Sequence, residues 1–263
     1  MSNILINPNM NNLDNFLPYV DTNDFFFEIF CFDPAVLSCD EKIKEYIETY
    51  ILIKDRIYSM HGAFYSINVS AYDQSIRNAS RHRIIQNCEI SKTLGIKNLV
   101  VHCDNISQIK DKQYIDNWVD TCYEFYSFLI DKYDINIFME NVWDFNPYPM
   151  KQLLSKMNTG KFKACIDTGH VQCFSESDIG EWIDVLNTDI THFHYNDNNG
   201  VIDEHNPPGQ GNFDFKALTE KVKEHNINPS VVFEMDDDES IDRIESSIDY
   251  LKSNRFHPYH VDS

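Results

Sequence analysis

Short apolar runs alternate with longer stretches of helical period along the chain. Eight runs stand out: NILIN (3–7), FFFEIF (25–30), IYSMHG (57–62), NLVVHC (98–103), INIFMEN (135–141), KACIDTGH (163–170), ITHFHYN (190–196) and SVVFEM (230–235). They are rich in β-branched and aromatic residues and nearly continuously apolar, the pattern of strands covered on both faces. The clearest helical stretches are 41–55, 75–95, 114–133, 214–226 and 238–254, with a weak one near 12–20. In the first of these Ile43, Tyr46, Ile47 and Tyr50 share one face. The 75–95 stretch ends on Gly95, a helix stop. Strand and helix in alternation predict an α/β fold with a parallel sheet. Eight units in 263 residues predict a closed (β/α)8 barrel as a single domain over 1–263, with an open doubly wound sheet as the alternative.

Composition narrows the function classes. Apolar residues make up 42% of the chain and aromatics 13%, enough for a substantial core. No apolar run reaches the ~20 residues that cross a bilayer, and the N-terminal stretch has no basic region of the secretory kind. Seven scattered cysteines without a C-x-x-C pair predict reduced thiols and a cytoplasmic location. A formal charge of −20 disfavours nucleic acid and anionic lipid surfaces as partners. The acidic run Asp236, Asp237, Asp238 and Glu239 is read as favouring the N-terminus of the last helix.

Candidate chemistry falls on the strand ends. His61, His102, Glu140, Asp167, His194 and Glu234 close six successive predicted strands, at spacings of 27 to 41 residues. Those spacings bracket the roughly 30 residues of a βα unit, and in a barrel such ends converge on one mouth. A lone histidine or glutamate there is more often a packing or salt-bridged residue. Six together are costly to bury unless their charges are matched. His170 follows three residues after Asp167, and Asp203 and His205 form a D-x-H pair in the polar loop beyond strand seven. This mixed nitrogen and oxygen set suits a divalent metal, zinc or manganese before magnesium, in one to three ions. Asp197 is read as orienting a ligand, His192 as a deeper or supporting residue, and Arg77, Arg81 and Arg83 as solvated helix residues. His82, His225, His257 and His260 are assigned no site role.

HGAF, GIKNLVVH, FMEN, IDTGH, HFHYND, DEHNPPGQGNFDF and FEM together resemble the xylose isomerase-like TIM barrel superfamily, which includes sugar-phosphate isomerases, epimerases and endonuclease IV. The resemblance implies that Glu140, Asp167, His194 and Glu234 hold a central metal. In the epimerase branch it implies that Glu140 and Glu234 pass a proton on opposite faces of a sugar, through a metal-stabilised enediolate, with His170 on a substrate oxygen. In the endonuclease branch, His61 and His102 would share a zinc with Glu140, and His170, Asp203 and His205 would hold another. The chain departs from the epimerases where an arginine often follows the strand-seven histidine, since Asn196, Asp197, Asn198 and Asn199 stand there. It departs from the nucleases in lacking a basic stripe with interleaved aromatics. The expected function is therefore a metal-dependent isomerase or epimerase of a small sugar, sugar phosphate or polyol. The alternatives are a zinc-dependent AP endonuclease or phosphodiesterase, and a barrel that binds without turnover. A homo-oligomer is compatible with this reading.

Overall fold

The computed structural model describes residues 3–30, 32–235 and 240–260. Eight parallel strands run β1 (Ile4–Ile6), β2 (Phe26–Ile29), β3 (Ile57–His61), β4 (Asn98–His102), β5 (Asn136–Glu140), β6 (Phe162–Asp167), β7 (Ile190–Tyr195) and β8 (Ser230–Phe233). They pair in chain order, and β1 closes on β8 through Ile4 opposite Val231, Leu5 opposite Val232 and Ile6 opposite Phe233. Closure rules out the open sheet.

The outer layer is helical: α1 (Leu13–Asn23), α2 (Asp40–Tyr50), α3 (Gln74–Leu94), α4 (Lys112–Tyr133), α5 (Tyr148–Met157), α6 (Thr168–Phe174), α7 (Ile179–Leu186), α8 (Phe215–Glu224) and α9 (Ile241–Ser253). The weak helix α1 forms despite Pro18 in its interior, because Leu13, Phe16 and Val20 bury one face against the barrel. The stretch read as a helix over 41–55 ends at Tyr50 and continues as a 3-10 turn to Arg56. Leu52 there is 83% exposed, so no apolar stripe holds the α-helix further. The last helix begins at Ile241, capped by Ser240; the acidic run 236–239 lies outside the described residues.

The run read as a strand over 163–170 splits at Asp167. Its carboxylate accepts the His170 amide at 2.6 Å and so starts α6 in the middle of the IDTGH motif. Arg81 and Arg83 are half-buried and held by carbonyls rather than fully solvated. Arg81 donates to the carbonyls of Val69 and Thr121 and lies over Phe125; Arg83 donates to the carbonyl of Leu37. Arg77 similarly ties down the carbonyls of Ala71 and Tyr72. Among the described residues Cys88, Cys103, Cys122 and Cys165 are buried free thiols, and no helix is long and apolar enough to cross a membrane.

Candidate functional site

The C-terminal strand ends open into a cavity of about 400 Å3. Its lining includes His61, His102, Glu140, His170, Asp203, His205 and Glu234. The nine residues singled out in the sequence meet here in three linked groups. One ligand atom each from Glu140, Asp167, His194 and Glu234 lies within 4.8 Å of all the others, and the same holds for His61, His102 and Glu140, and for His170, Asp203 and His205. Glu140 belongs to the first two groups and connects to the third, with His170 Nδ1 3.4 Å from its Oε1.

Each side chain is placed by local geometry. His102 on β4 and Glu140 on β5 are register partners, as are Asp167 on β6 and His194 on β7. His61 Nδ1 lies 2.8 Å from the Gly62 carbonyl, and His170 Nδ1 lies 2.8 Å from the Asn141 carbonyl. A carbonyl only accepts, so both Nδ1 atoms carry the proton. In a neutral ring, Nε2 is then a bare lone pair. His61 Nε2 faces Glu140 Oε2 at 3.0 Å, and His170 Nε2 faces Asp203 Oδ2 at 3.2 Å. Lone pair against carboxylate is stable only with a proton or a cation between them.

The site's electrostatics agree. Burial, opposed by His170 and reinforced by Glu234 and Glu140, pushes the Asp167 carboxyl up to about 7. Burial works against Glu140, yet His194 and His102 hold it well below the usual carboxylate range. Glu234 is likewise drawn down to about 2 by His194 against burial. Burial pushes His205 down, but Asp203, Glu234 and Asp167 together outweigh it and raise it to about 9. His194 Nδ1, Glu234 Oε2 and Asp203 Oδ1 are buried without an aimed hydrogen bond, although the first two lie 2.8 Å apart. His194 and Glu234 could thus hold one ion between them. A divalent cation fits this donor set.

The loop after β7 carries Asp203 and His205 back over the mouth, as expected. Asp197 does not face the cavity. Its carboxylate accepts the amides of Asn198, Gly209 and Phe213, each at 2.9 Å, and thereby folds that loop. Gly209 has φ +93°, and a Cβ at Gly211 would overlap the Asn198 backbone, so both glycines are needed for the turn.

Sequence reasoning missed Glu28 on β2, which is 1% exposed at the barrel centre. It lies 2.9 Å from His194 Nε2 and 3.0 Å from His192 Nε2. The available signal was a single carboxylate inside the otherwise apolar run FFFEIF. Also missed were the buried amides Asn141 and Asn196, which bond the Asp167 backbone and carboxylate.

The chain is 25% identical to an uncharacterised protein of Methanocaldococcus jannaschii over 245 residues, covering 92% of each. Among solved structures it is similar to a D-tagatose 3-epimerase-like protein, with a TM-score of 0.74, 22% identity and 96% of each chain covered. It is also similar to the IOLI protein with a bound zinc atom, with a TM-score of 0.75 and 18% identity, covering 98% of this chain and 100% of that one. The family described as xylose isomerase-like TIM barrel matches residues 20–254, and the chain belongs to that family.

Proposed function

We propose that the protein is a divalent-metal-dependent isomerase or epimerase of a small, uncharged sugar or polyol. One observation carries this reading: two carboxylates, Glu140 and Glu234, open on a single cavity whose described lining contains no lysine or arginine. A metal held by Glu140, Asp167, His194 and Glu234 would supply a Lewis acid that lowers the cost of negative charge on a substrate carbonyl oxygen. Glu234, 17% exposed and touched by one imidazole, takes the proton from the carbon beside that carbonyl. Glu140, positioned by the Nε2 atoms of His61 and His102 at 3.0 and 3.3 Å, returns on the other face a proton that it first takes up from solvent. Phe30, Phe64, Tyr65 and Trp143 offer ring faces to the apolar side of a sugar. The missing cations weigh against a phosphorylated substrate.

The test is solvent deuterium incorporation across a panel of ketoses and inososes. Glu234→Gln is expected to lower exchange by about 10²- to 10⁴-fold, the usual contribution of a positioned acid or base. Exchange unchanged in that variant sinks the proton-transfer assignment.

A second reading, a three-ion phosphodiester hydrolase, is favoured by the Nε2 atoms of His61 and His170, which face the carboxylates of Glu140 and Asp203. Three zinc ions per chain with cleavage of duplex DNA at an abasic site would decide for it. One ion with sugar exchange decides for the isomerase.

A further inference from the structure

Under the mouth, the barrel interior holds a carboxylate that neither the ligand set nor the proton transfer uses. Glu28 Oε2 accepts the Ser59 hydroxyl at 2.6 Å and faces His192 Nε2 at 3.0 Å. His192 Nδ1 in turn lies 2.6 Å from Ser230 Oγ. Glu28, Ser59 and His192 are essentially sealed from solvent, at 1%, 0% and 0% exposure. These bonds occupy only Oε2. The other oxygen, Oε1, sits 2.9 Å from His194 Nε2. On the opposite edge of the same ring, Nδ1 is 2.8 Å from Glu234 Oε2 and 3.3 Å from Glu140 Oε1.

A neutral imidazole carries one proton; a cation held with Glu140 and Glu234 would take the lone pair of Nδ1, and the carboxylate of Glu28 at the far edge then draws the proton to Nε2. The approach of Oε1 to Nε2 is at ion-pair distance without ideal hydrogen-bond direction, so the pull is chiefly electrostatic. Packing alone does not explain the group. An apolar side chain would fill the space without the desolvation that a buried carboxylate costs.

We propose that Glu28 is a positioning residue for the metal centre, acting through His194: it keeps the proton on Nε2 and turns Nδ1, bare, toward Glu140 and Glu234. Ser59 and the His192–Ser230 pair hold the carboxylate in place. Glu28 also adds a negative charge behind the cation. The proposal rests on His194 being a ligand, but not on which reaction the site performs.

Zinc affinity, measured by competition with a chromogenic chelator, tests it together with nitrogen-15 NMR of the His194 ring. Glu28→Gln keeps shape and removes charge; Glu28→Met also removes both acceptors. Glu28→Gln is expected to weaken zinc binding by about 10- to 100-fold, the usual effect of removing a carboxylate behind a histidine ligand. Glu28→Met is expected to lose at least as much and to show a mixture of His194 tautomers, a signature that simple loosening of the core would not produce. Glu28→Asp retains the charge and recovers part of the affinity. Wild-type affinity and an unmixed tautomer in folded Glu28→Met overturn the proposal. If that variant does not fold, wild-type affinity in Glu28→Gln overturns it instead. A wild-type chain that takes up no zinc or manganese defeats the metal reading as a whole, a different outcome from either.

Discussion

Replacing Asp197 tests whether the loop over the mouth is built on one carboxylate. The side chain is 1% exposed, and it accepts three backbone amides, Asn198 and Phe213 on Oδ1 and Gly209 on Oδ2. Alanine removes all three acceptors. A buried donor left without a partner costs about 1–3 kcal/mol. The Asn198 and Phe213 amides carry the full cost and the partly buried Gly209 amide less, giving a loss of roughly 3–7 kcal/mol. That is a large part of the ~5–15 kcal/mol that holds an ordinary domain together. Asparagine keeps Oδ1 for two of the amides and turns an NH2 against the Gly209 N–H, a single mismatch costing about 1–3 kcal/mol. Urea unfolding followed by circular dichroism measures both. The loop also carries Asp203 and His205, which meet His170. Asp197→Ala should therefore displace Asp203 and His205 while leaving the central group of Glu140, Asp167, His194 and Glu234 in place. The reasoning fails if Asp197→Ala unfolds within about 1 kcal/mol of the wild type, or if asparagine is as damaging as alanine.

Two further predictions concern conditions. Zinc at a free concentration 1,000 times its dissociation constant should stabilise the fold by about 4 kcal/mol, and a chelator should remove that gain, read as a shift in Tm; an unchanged Tm refutes the ligand set. Burial, helped by the charge of His260, draws His257 from 6.5 down to about 3. Its contribution is then complete above the unfolded value and is lost as pH falls from there toward the folded one. Between pH 6.5 and 5 the wild type should lose about 2 kcal/mol that His257→Gln does not lose, and parallel urea midpoints for the two proteins would contradict this.

The sequence by itself determined the eight strand-and-helix units and the candidate ligands, because both follow a rule local to each unit; that the sheet closes was decided by the structure. A buried parallel strand is a short apolar run, and a polar residue at its C-terminal end must reach the mouth. His61, His102, Glu140, Asp167, His194 and Glu234 could be read off in that way, and the D-x-H loop by its motif. Tertiary structure decided what depends on several strands at once. Glu28 and His192 meet across 164 residues only because the sheet closes, which puts β2 opposite β7. The roles of Asp167 as a helix cap and of Asp197 as a loop brace depend on which amides the folded backbone leaves without partners. Hydrophobic pattern reports which face is buried; it carries no information on which polar atoms, once buried, find one another.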